Sequence, residues 1–241
     1  MHGWRGRLGL IVPSSNTTNE PEVVARLPEG VSLHTSRMYL EDTAPDELEA
    51  MAEDVERCGE LLATADVDVI MYGCTTGSLV KGAGYDRRIE KRLEDATGIP
   101  SVATAASIKR AFDALHLEQL AIATPYEQEL NEREEAFLED AGYEVVTICG
   151  LEILENTEIG AQQPQIAYRQ ALDAFHETSG VADGIFLSCT NYRTFEIINR
   201  LERDSGVPVV TSNQATLWDA LGELGISTAG IGVGSLFDIR G

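Results

Sequence analysis

The stretch Val67-Asp-Val-Ile-Met-Tyr-Gly-Cys74-Thr-Thr-Gly-Ser78 leads from a short apolar run into a cysteine and a turn of small residues. A second stretch, Ala182-Asp-Gly-Ile-Phe-Leu-Ser-Cys189-Thr-Asn-Tyr192, repeats this construction. In each, the apolar run predicts a buried strand, and the residues after Cys-Thr predict the start of a helix. A thiol at a strand end that faces a helix N-terminus can be held as a reactive thiolate. The pair therefore predicts two thiols that work on opposite faces of one small molecule.

The repeated construction belongs to an internal duplication of the whole chain. Pro13 ends one apolar run, and Pro125 ends a matching run 112 positions later. The two cysteines lie 115 positions apart, and other matched landmarks keep the same order. Two copies at so long a period indicate duplicated domains rather than a solenoid. We predict one half at 1–117 and the other at 118–241, with terminal segments able to cross between the lobes.

Short apolar segments alternate with amphipathic ones in each half. Runs rich in Val, Ile and Leu predict strands covered on both faces, at 7–12, 31–37, 67–72, 99–103, 119–123, 143–149, 183–187 and 207–210. Apolar residues at helical spacing predict helices, at 45–65, 86–96, 105–116, 126–141, 164–178, 192–204 and 214–224. The alternation is typical of an α/β fold, here two pseudo-symmetric Rossmann-like domains, each with a mainly parallel four-stranded sheet flanked by helices. Because ligands of such sheets bind beyond the carboxyl ends of the strands, we predict an active site in the inter-domain cleft.

The net charge of −22 restricts the classes of partner. Nucleic-acid binding needs a basic face, so we expect no nucleic-acid partner. Acidic excess with lysine only at 81, 91 and 109 resembles the composition of proteins from extreme halophiles, in which concentrated salt screens self-repulsion. An anionic substrate must then be bound by local donors.

No apolar run approaches the roughly 18–20 residues of a membrane span, and the N-terminus lacks the pattern of a signal peptide. Four cysteines are too few and too scattered for a disulfide framework, so we expect a reducing cytoplasm. Cys58 lies on the apolar stripe of a predicted helix, and Cys149 ends a strand without a Cys-Thr turn. We expect both of these thiols to be core residues.

Asn16 and Tyr126 follow matching strands of the two halves. Ser15, Thr17 or Thr18 can cap the local turn as well as Asn16 can, so we expect the Asn16 side chain to point into the cleft and contact the ligand. Tyr126 can pack locally at a helix start, or its phenol can donate a hydrogen bond to a carboxylate.

We predict no metal, nicotinamide or pyridoxal cofactor. The four histidines are far apart, and no zinc-ligand spacing occurs. Gly82-Ala-Gly84 and Gly230-Ile-Gly-Val-Gly234 lack the strand–turn–helix placement of a dinucleotide fingerprint. No lysine lies at a strand end, where a Schiff base is expected.

These features resemble the aspartate/glutamate racemase superfamily, in which two pseudo-symmetric α/β domains each contribute one cysteine to a shared cleft. Gly9-Leu-Ile-Val-Pro-Ser-Ser-Asn-Thr-Thr18, Tyr72-Gly-Cys-Thr-Thr-Gly-Ser78 and Ser188-Cys-Thr-Asn191 are most similar to its maleate cis–trans isomerase family. Pro125-Tyr126 and Leu154-Glu-Asn156-Thr-Glu-Ile-Gly160 are similar to the second half of that family. The resemblance covers essentially the whole chain.

The resemblance implies that Cys74 is the nucleophile and that Cys189 donates and accepts a proton. It implies that the substrate carboxylates are bound by Asn16, Tyr126 and Asn156, with help from main-chain amides near Thr75, Thr76, Thr190 and Asn191. It also implies a homo-oligomer, a dimer or larger. Arylmalonate decarboxylases of the same superfamily keep the second cysteine and lack the first, so Cys74 argues against that branch.

The predicted activity is cofactor-independent isomerisation of maleate to fumarate. Thiolate addition makes the central bond single, the charge moves onto a carboxylate, and rotation followed by elimination gives fumarate. An alternative is an amino-acid or hydantoin racemase, in which the same thiols move a proton on opposite faces. A third reading is a two-lobed protein that binds a carboxylate without turnover.

Overall fold

The computed structural model describes residues 2–239, which contain two four-stranded sheets. The first sheet has the order β2-β1-β3-β4, with strands β1 (Gly6–Pro13), β2 (Val31–Met38), β3 (Val69–Tyr72) and β4 (Ser101–Ala103). The second has the order β6-β5-β7-β8, with strands β5 (Gln119–Ala123), β6 (Glu144–Cys149), β7 (Gly184–Leu187) and β8 (Val209–Thr211). Every strand pair is parallel and the two orders match, so the predicted α/β fold with two pseudo-symmetric halves is confirmed.

Helices cover both sheets, and each strand is followed along the chain by at least one helix. They are α1 (Asn19–Val24), α2 (Pro45–Met51), α3 (Val55–Ala63), α4 (Thr75–Leu79), α5 (Tyr85–Thr97), α6 (Thr104–Leu115), α7 (Gln128–Asp140), α8 (Asn156–Gly160), α9 (Pro164–Glu177), α10 (Ile198–Ser205), α11 (Ser212–Glu223) and α12 (Gly234–Asp238). None of the helices within the described residues is both long enough and apolar enough to span a membrane.

All eight predicted strands are present, but two helix predictions need correction and three short helices were missed. The single helix predicted at 45–65 is wrong, because a 3-10 turn at Ala52–Asp54 separates α2 from α3. The helix predicted at 192–204 begins only at Ile198, since tight turns follow Cys189 and hold residues 190–197 out of the helix. The short helices α1, α8 and α12 were not predicted, because five or six residues are too few for an amphipathic pattern to show.

Helices α6 and α11 each follow the last strand of one half and pack against the other half. Phe112 of α6 lies edge-on to Phe186 of β7, with ring centroids 5.4 Å apart. On α11, the Thr216 hydroxyl donates to Thr104 Oγ1 at 3.1 Å, and the helix also contacts β3 and β4. The two halves are therefore tied together through each other's helices. The boundary between residues 117 and 118 stays a prediction.

Strands β3 and β7 are wholly buried, as their uninterrupted apolar sequences require. Each ends at the turn that carries its cysteine, and the turns after β1 and β5 lie at the same edges. The residues that follow these four strands meet at one cavity between the sheets. The parallel topology thus brings together side chains that are far apart in the sequence.

Candidate active site

The cavity between the sheets contains nearly all the residues predicted for the site. Its lining consists of Pro13, Asn16, Leu40, Thr43, Cys74, Thr75, Thr76, Tyr126, Asn156, Cys189 and Thr190. Asn191 alone among the predicted site residues does not line it. No charged side chain of the described residues belongs to the lining, so any anion bound here must be held by neutral N–H and O–H donors.

The cavity is small and largely enclosed. Its free volume is about 10 Å³, room for roughly one water molecule. The loops after β2 and β6 meet beside the cavity. The Thr43 N–H and hydroxyl both donate to the Leu154 carbonyl, at 3.2 and 3.1 Å, and the backbones of Asp42 and Glu155 form an isolated antiparallel β-bridge. A molecule with several carbon atoms can enter only when the cavity widens.

Cys74 ends the turn after β3 and forms the N-cap of α4. Its backbone is extended, with φ −145° and ψ 115°, and its Sγ accepts the Gly77 N–H at 3.3 Å. The Thr76 hydroxyl lies 3.8 Å from the same sulfur. Burial raises the pKa of the Cys74 thiol to about 11, although the contacts with Gly77 and Thr76 act to lower it. Near neutral pH the closed site therefore holds a thiol, and the thiolate expected from the helix N-terminus is not its resting state.

Cys189 occupies the matching position after β7 in a different backbone conformation. Its φ is +108°, in the region that favours glycine, so the residue is strained. The Asn191 N–H donates to its Sγ at 3.3 Å, and the Tyr126 hydroxyl also hydrogen-bonds to this sulfur. Burial raises the pKa of Cys189 to about 12, with the charges of Cys74 and Glu134 acting in the same direction.

Asn16 both shapes its own turn and contacts the other half. Its Oδ1 accepts the N–H groups of Thr18 and Asn19, at 3.0 and 2.9 Å, while its Nδ2 donates to Thr190 Oγ1 at 3.1 Å. The expectation that a neighbouring hydroxyl caps this turn and leaves Asn16 free is therefore wrong. The Asn16 oxygen is fully used, and only the amide N–H₂ can face a ligand.

Asn156 and Asn191 form a buried pair at the back of the cavity. Asn191 Nδ2 donates to the Asn156 carbonyl at 2.6 Å and to its Oδ1 at 3.1 Å, and Asn191 Oδ1 accepts the Thr17 N–H at 2.9 Å. Asn156 Nδ2 in turn donates to Ser15 Oγ at 2.8 Å. Because each amide is oriented by partners in both halves, Asn191 fixes the position of Asn156.

The two cysteine turns are joined to each other by hydroxyl groups. Ser212, at the start of α11, accepts the Thr75 hydroxyl at 2.8 Å and the Cys189 N–H at 3.1 Å. The Thr190 hydroxyl donates to the Gly73 carbonyl at 3.1 Å. The Thr75–Ser212 and Thr190–Gly73 bonds cross between the halves, so the relative position of the two thiols is fixed by the packing of both.

The remaining cysteines lie outside the cavity. Cys58 is buried on α3, as predicted, whereas Cys149 is only half-buried, with its sulfur 3.8 Å from Glu177 Oε2, so the core prediction for Cys149 is wrong. The four cysteines all fall within the described residues, and each is a free thiol. Nowhere in residues 2–239 do three or more His, Cys, Asp or Glu side chains cluster to hold a metal ion.

Comparison with known proteins identifies the chain's relatives. The sequence model for arylmalonate decarboxylase matches residues 8–237. The chain belongs to the arylmalonate decarboxylase family. A maleate isomerase from Pseudomonas putida is 32% identical over 95% of this chain and 96% of its own length. The predicted resemblance to maleate isomerases is therefore confirmed.

Solved structures agree with this family assignment. A maleate isomerase variant from Pseudomonas putida S16, solved with maleate, is 29% identical, covers 97% of both chains and has a TM-score of 0.90. A Nocardia farcinica maleate cis–trans isomerase mutant with a covalently bound succinylcysteine intermediate is 28% identical, covers 97% of this chain and 98% of its own, and has the same TM-score of 0.90. The family fold thus extends over nearly the entire described chain.

Several side chains at this family site escaped the sequence analysis. Leu40 and Thr43 come from the loop after β2, Ser212 joins the two turns, and Glu134 is a fully buried carboxylate on α7. Only Glu134 leaves a signal in the sequence, because it falls on the apolar stripe of its helix. The others are brought to the site by long-range packing.

Proposed function

We propose that this chain catalyses the cis–trans isomerisation of maleate to fumarate by thiolate addition to the double bond. The observation that carries the proposal is the placement of two non-equivalent thiols, Cys74 and Cys189, on one cavity with an uncharged lining. The relative with a bound succinylcysteine supports it, because a succinyl group on sulfur is the product of adding a thiol to maleate.

Cys74 is the proposed nucleophile. Its thiolate adds to one alkene carbon, the π electrons move onto the neighbouring carboxylate as an enediolate, and the central bond becomes single. The Gly77 N–H and the Thr76 hydroxyl lie where they stabilise that thiolate. With a pKa of about 11, ionising this thiol near pH 7 costs about 5 kcal/mol in the closed cavity. The proton therefore leaves Cys74 while the site is still open to water.

Cys189 is the proposed proton donor and acceptor. Its S–H proton passes to the α-carbon of the enediolate, which leaves a succinyl thioether on Cys74 and a thiolate on Cys189. After rotation about the single bond, the Cys189 thiolate takes the proton back and the Cys74 sulfur departs, releasing fumarate. The Tyr126 hydroxyl and the Asn191 N–H stabilise the thiolate of Cys189 between these two steps.

Neutral donors are proposed to bind the two carboxylates. These donors are the side chains of Asn16, Tyr126 and Asn156 and the main-chain amides near Thr75, Thr76, Thr190 and Asn191. Their fixed positions support the role, because preorganised donors stabilise a developing enediolate without reorganising during the reaction. In a protein with a net charge of −22, such local donors replace a positive field.

The proposal includes five further properties of the protein. The chemistry above needs no cofactor, and the four unpaired thiols fit a reducing cytoplasm. The family resemblance favours a homo-oligomer, and the acidic, lysine-poor composition favours function in concentrated salt. The duplication favours structural units that meet near residues 117 and 118.

One assay tests the isomerase directly. Purified protein is incubated with maleate, and fumarate is followed by proton NMR, with Cys74→Ala, Cys189→Ala and, as the matched control, Cys149→Ala. We expect both site variants to lose activity and the control to keep it. Intact-mass analysis of Cys189→Ser should show one added maleic acid, mapped to the peptide that contains Cys74. Full activity in Cys74→Ala removes the nucleophile assignment.

The racemase alternative has its own signature. A racemase exchanges the α-proton of an acidic amino acid or hydantoin for deuterium in D₂O, and the isomerase does not. Exchange without fumarate formation therefore contradicts the proposal and favours the racemase. Decarboxylation of arylmalonates is not proposed, because Cys74 argues against that branch of the family.

A further inference from the structure

Glu134 is a carboxylic acid buried behind the proposed proton-transfer residue. It lies on α7 and is only 1% exposed. Its Oε1 accepts the Ser188 hydroxyl at 2.6 Å, and its Oε2 makes no hydrogen bond to any described residue. None of the salt bridges formed by the described residues includes it. A buried, unpaired carboxylate of this kind is costly when it is ionised.

The position of Glu134 makes its charge act on one cysteine. Ser188 directly precedes Cys189, so the Glu134–Ser188 hydrogen bond reaches the turn that carries this sulfur. Burial is the main cause of the raised pKa of Cys189 and of Tyr126, and the Glu134 charge acts in the same direction on both. No hydrogen bond among the described residues joins Glu134 to the turn of Cys74, where the sulfur is contacted by the Gly77 N–H and the Thr76 hydroxyl. The carboxylate therefore distinguishes between two thiols that the duplication made alike.

We propose that Glu134 is a positioning residue whose carboxylate, once ionised, acts from behind Ser188 to disfavour the thiolate of Cys189 and so leaves Cys74 as the preferred nucleophile. This inference rests on the proposed function. A glutamine at this position can still accept the Ser188 hydroxyl through its Oε1; it removes the charge and places an amide N–H₂ where Glu134 has Oε2. The comparison of Glu with Gln thus tests the electrostatic effect.

The test measures how fast iodoacetamide alkylates Cys189, in a Cys74→Ser background, by mass spectrometry of the peptide that contains Cys189. Adding Glu134→Gln should raise this rate roughly three- to tenfold near pH 8, since the thiolate fraction rises while its intrinsic nucleophilicity falls. Burial raises the pKa of Glu134 to about 7. Below about pH 5.5 that carboxyl is neutral in the parent, so the two rates should converge.

The groups that face the Cys189 sulfur and titrate or carry charge are Tyr126, Cys74, Glu134 and Tyr192. Cys74 is removed in the background, and burial raises the pKa of both tyrosines well beyond the range of the assay. Only Glu134 is left to change charge between pH 5.5 and 8. As the matched control, Glu132→Gln removes an exposed charge from the same helix and should leave the rate unchanged.

Two outcomes overturn the inference. One is a Glu134→Gln rate that equals that of the parent near pH 8, and the other is a ratio that does not change with pH. If Glu134→Gln does not fold, the parent alone still provides a test: the logarithm of its alkylation rate should flatten near pH 7, where Glu134 ionises, and a straight line contradicts the proposal. Alkylation of Cys189 does not require turnover of maleate. A protein that fails to isomerise maleate therefore contradicts the proposed function, while the alkylation rates still test the role of Glu134.

Discussion

The strained backbone of Cys189 predicts how the free energy of unfolding changes when this residue is replaced. Cys74, the matching residue of the first half, is the control. We compare Cys189→Ala with Cys189→Gly, and Cys74→Ala with Cys74→Gly. A side chain held at a φ of +108° costs about 1–3 kcal/mol. Glycine avoids that cost but loses about 0.4–1 kcal/mol through the extra freedom of the unfolded chain. At position 189 we therefore expect glycine to be more stable than alanine by about 1 kcal/mol.

Position 74 should show the opposite preference. Its φ of −145° and ψ of 115° are ordinary extended values, so glycine relieves nothing there. Alanine should be the more stable residue at position 74 by about 0.5–1 kcal/mol. The difference between the two Ala-to-Gly changes is then about 1–3 kcal/mol, and the loss of sulfur contacts cancels within each pair.

Urea unfolding at one fixed salt concentration measures all four variants. Tryptophan fluorescence and far-UV circular dichroism must give coincident transitions, and the m-values must agree, before the free energies are compared. If alanine is preferred equally at both positions, Cys189 is not strained and the reasoning fails. A glycine preference at position 74 contradicts it as well.

Three further predictions concern burial, close packing and charge. The raised pKa of Glu134 means that its contribution to stability is fully present below about pH 4.5 and is lost as pH rises through about 7. In urea unfolding near pH 9, Glu134→Gln should therefore be more stable than expected from the parent's pH dependence, by up to about 3 kcal/mol. If the free energy of unfolding depends on pH equally in the parent and in Glu134→Gln, the prediction is wrong. A methyl group at Gly150 would lie 2.3 Å from the Tyr126 carbonyl oxygen and 2.4 Å from Asn131 Nδ2. Gly150→Ala should therefore cost about 1–3 kcal/mol and lower kcat for maleate, and an unchanged melting temperature speaks against this. Finally, potassium chloride at about 1 M should raise the melting temperature by several degrees, because it screens the net charge of −22; a melting temperature independent of salt contradicts the halophilic interpretation.

The strands and the cavity could be predicted from the sequence because they depend on local signals. An uninterrupted apolar run such as Val69–Tyr72 reads as a buried strand without any knowledge of its neighbours, and the parallel topology then places its end at the ligand edge. The two Cys-Thr turns follow such runs directly. Their meeting at one cavity is a consequence of the duplication and the fold class.

What the sequence could not predict depends on contacts between distant residues. Ser212 joins the two turns only because α11 crosses to the other half, and Thr43 reaches the cavity only through the Leu154 carbonyl. The two sets of contacts made by Asn16 were also not predictable, because its Nδ2 donates to Thr190 of the opposite half while its Oδ1 accepts N–H groups of its own turn. Glu134 was in principle visible, because a charged residue between Leu130 and Phe137 on an apolar stripe has to be explained.

The duplicated fold supplies symmetry, and the proposed chemistry requires that symmetry to be broken. Addition of one thiol and proton transfer by the other are different tasks, so two equivalent cysteines compete for the same role. The position that matches Tyr126 in the first half is Ser14, whose hydroxyl donates to the Leu40 carbonyl instead of to a sulfur. Cys74 has a helix start, and no phenol of the described residues hydrogen-bonds to its sulfur, whereas Cys189 has the Tyr126 phenol, the strained turn and the Glu134 charge. These differences make the two thiols non-equivalent: the Tyr126 hydroxyl acts to lower the pKa of Cys189, and the Glu134 charge acts to raise it. The division of labour therefore follows from the residues around the strand ends rather than from the fold.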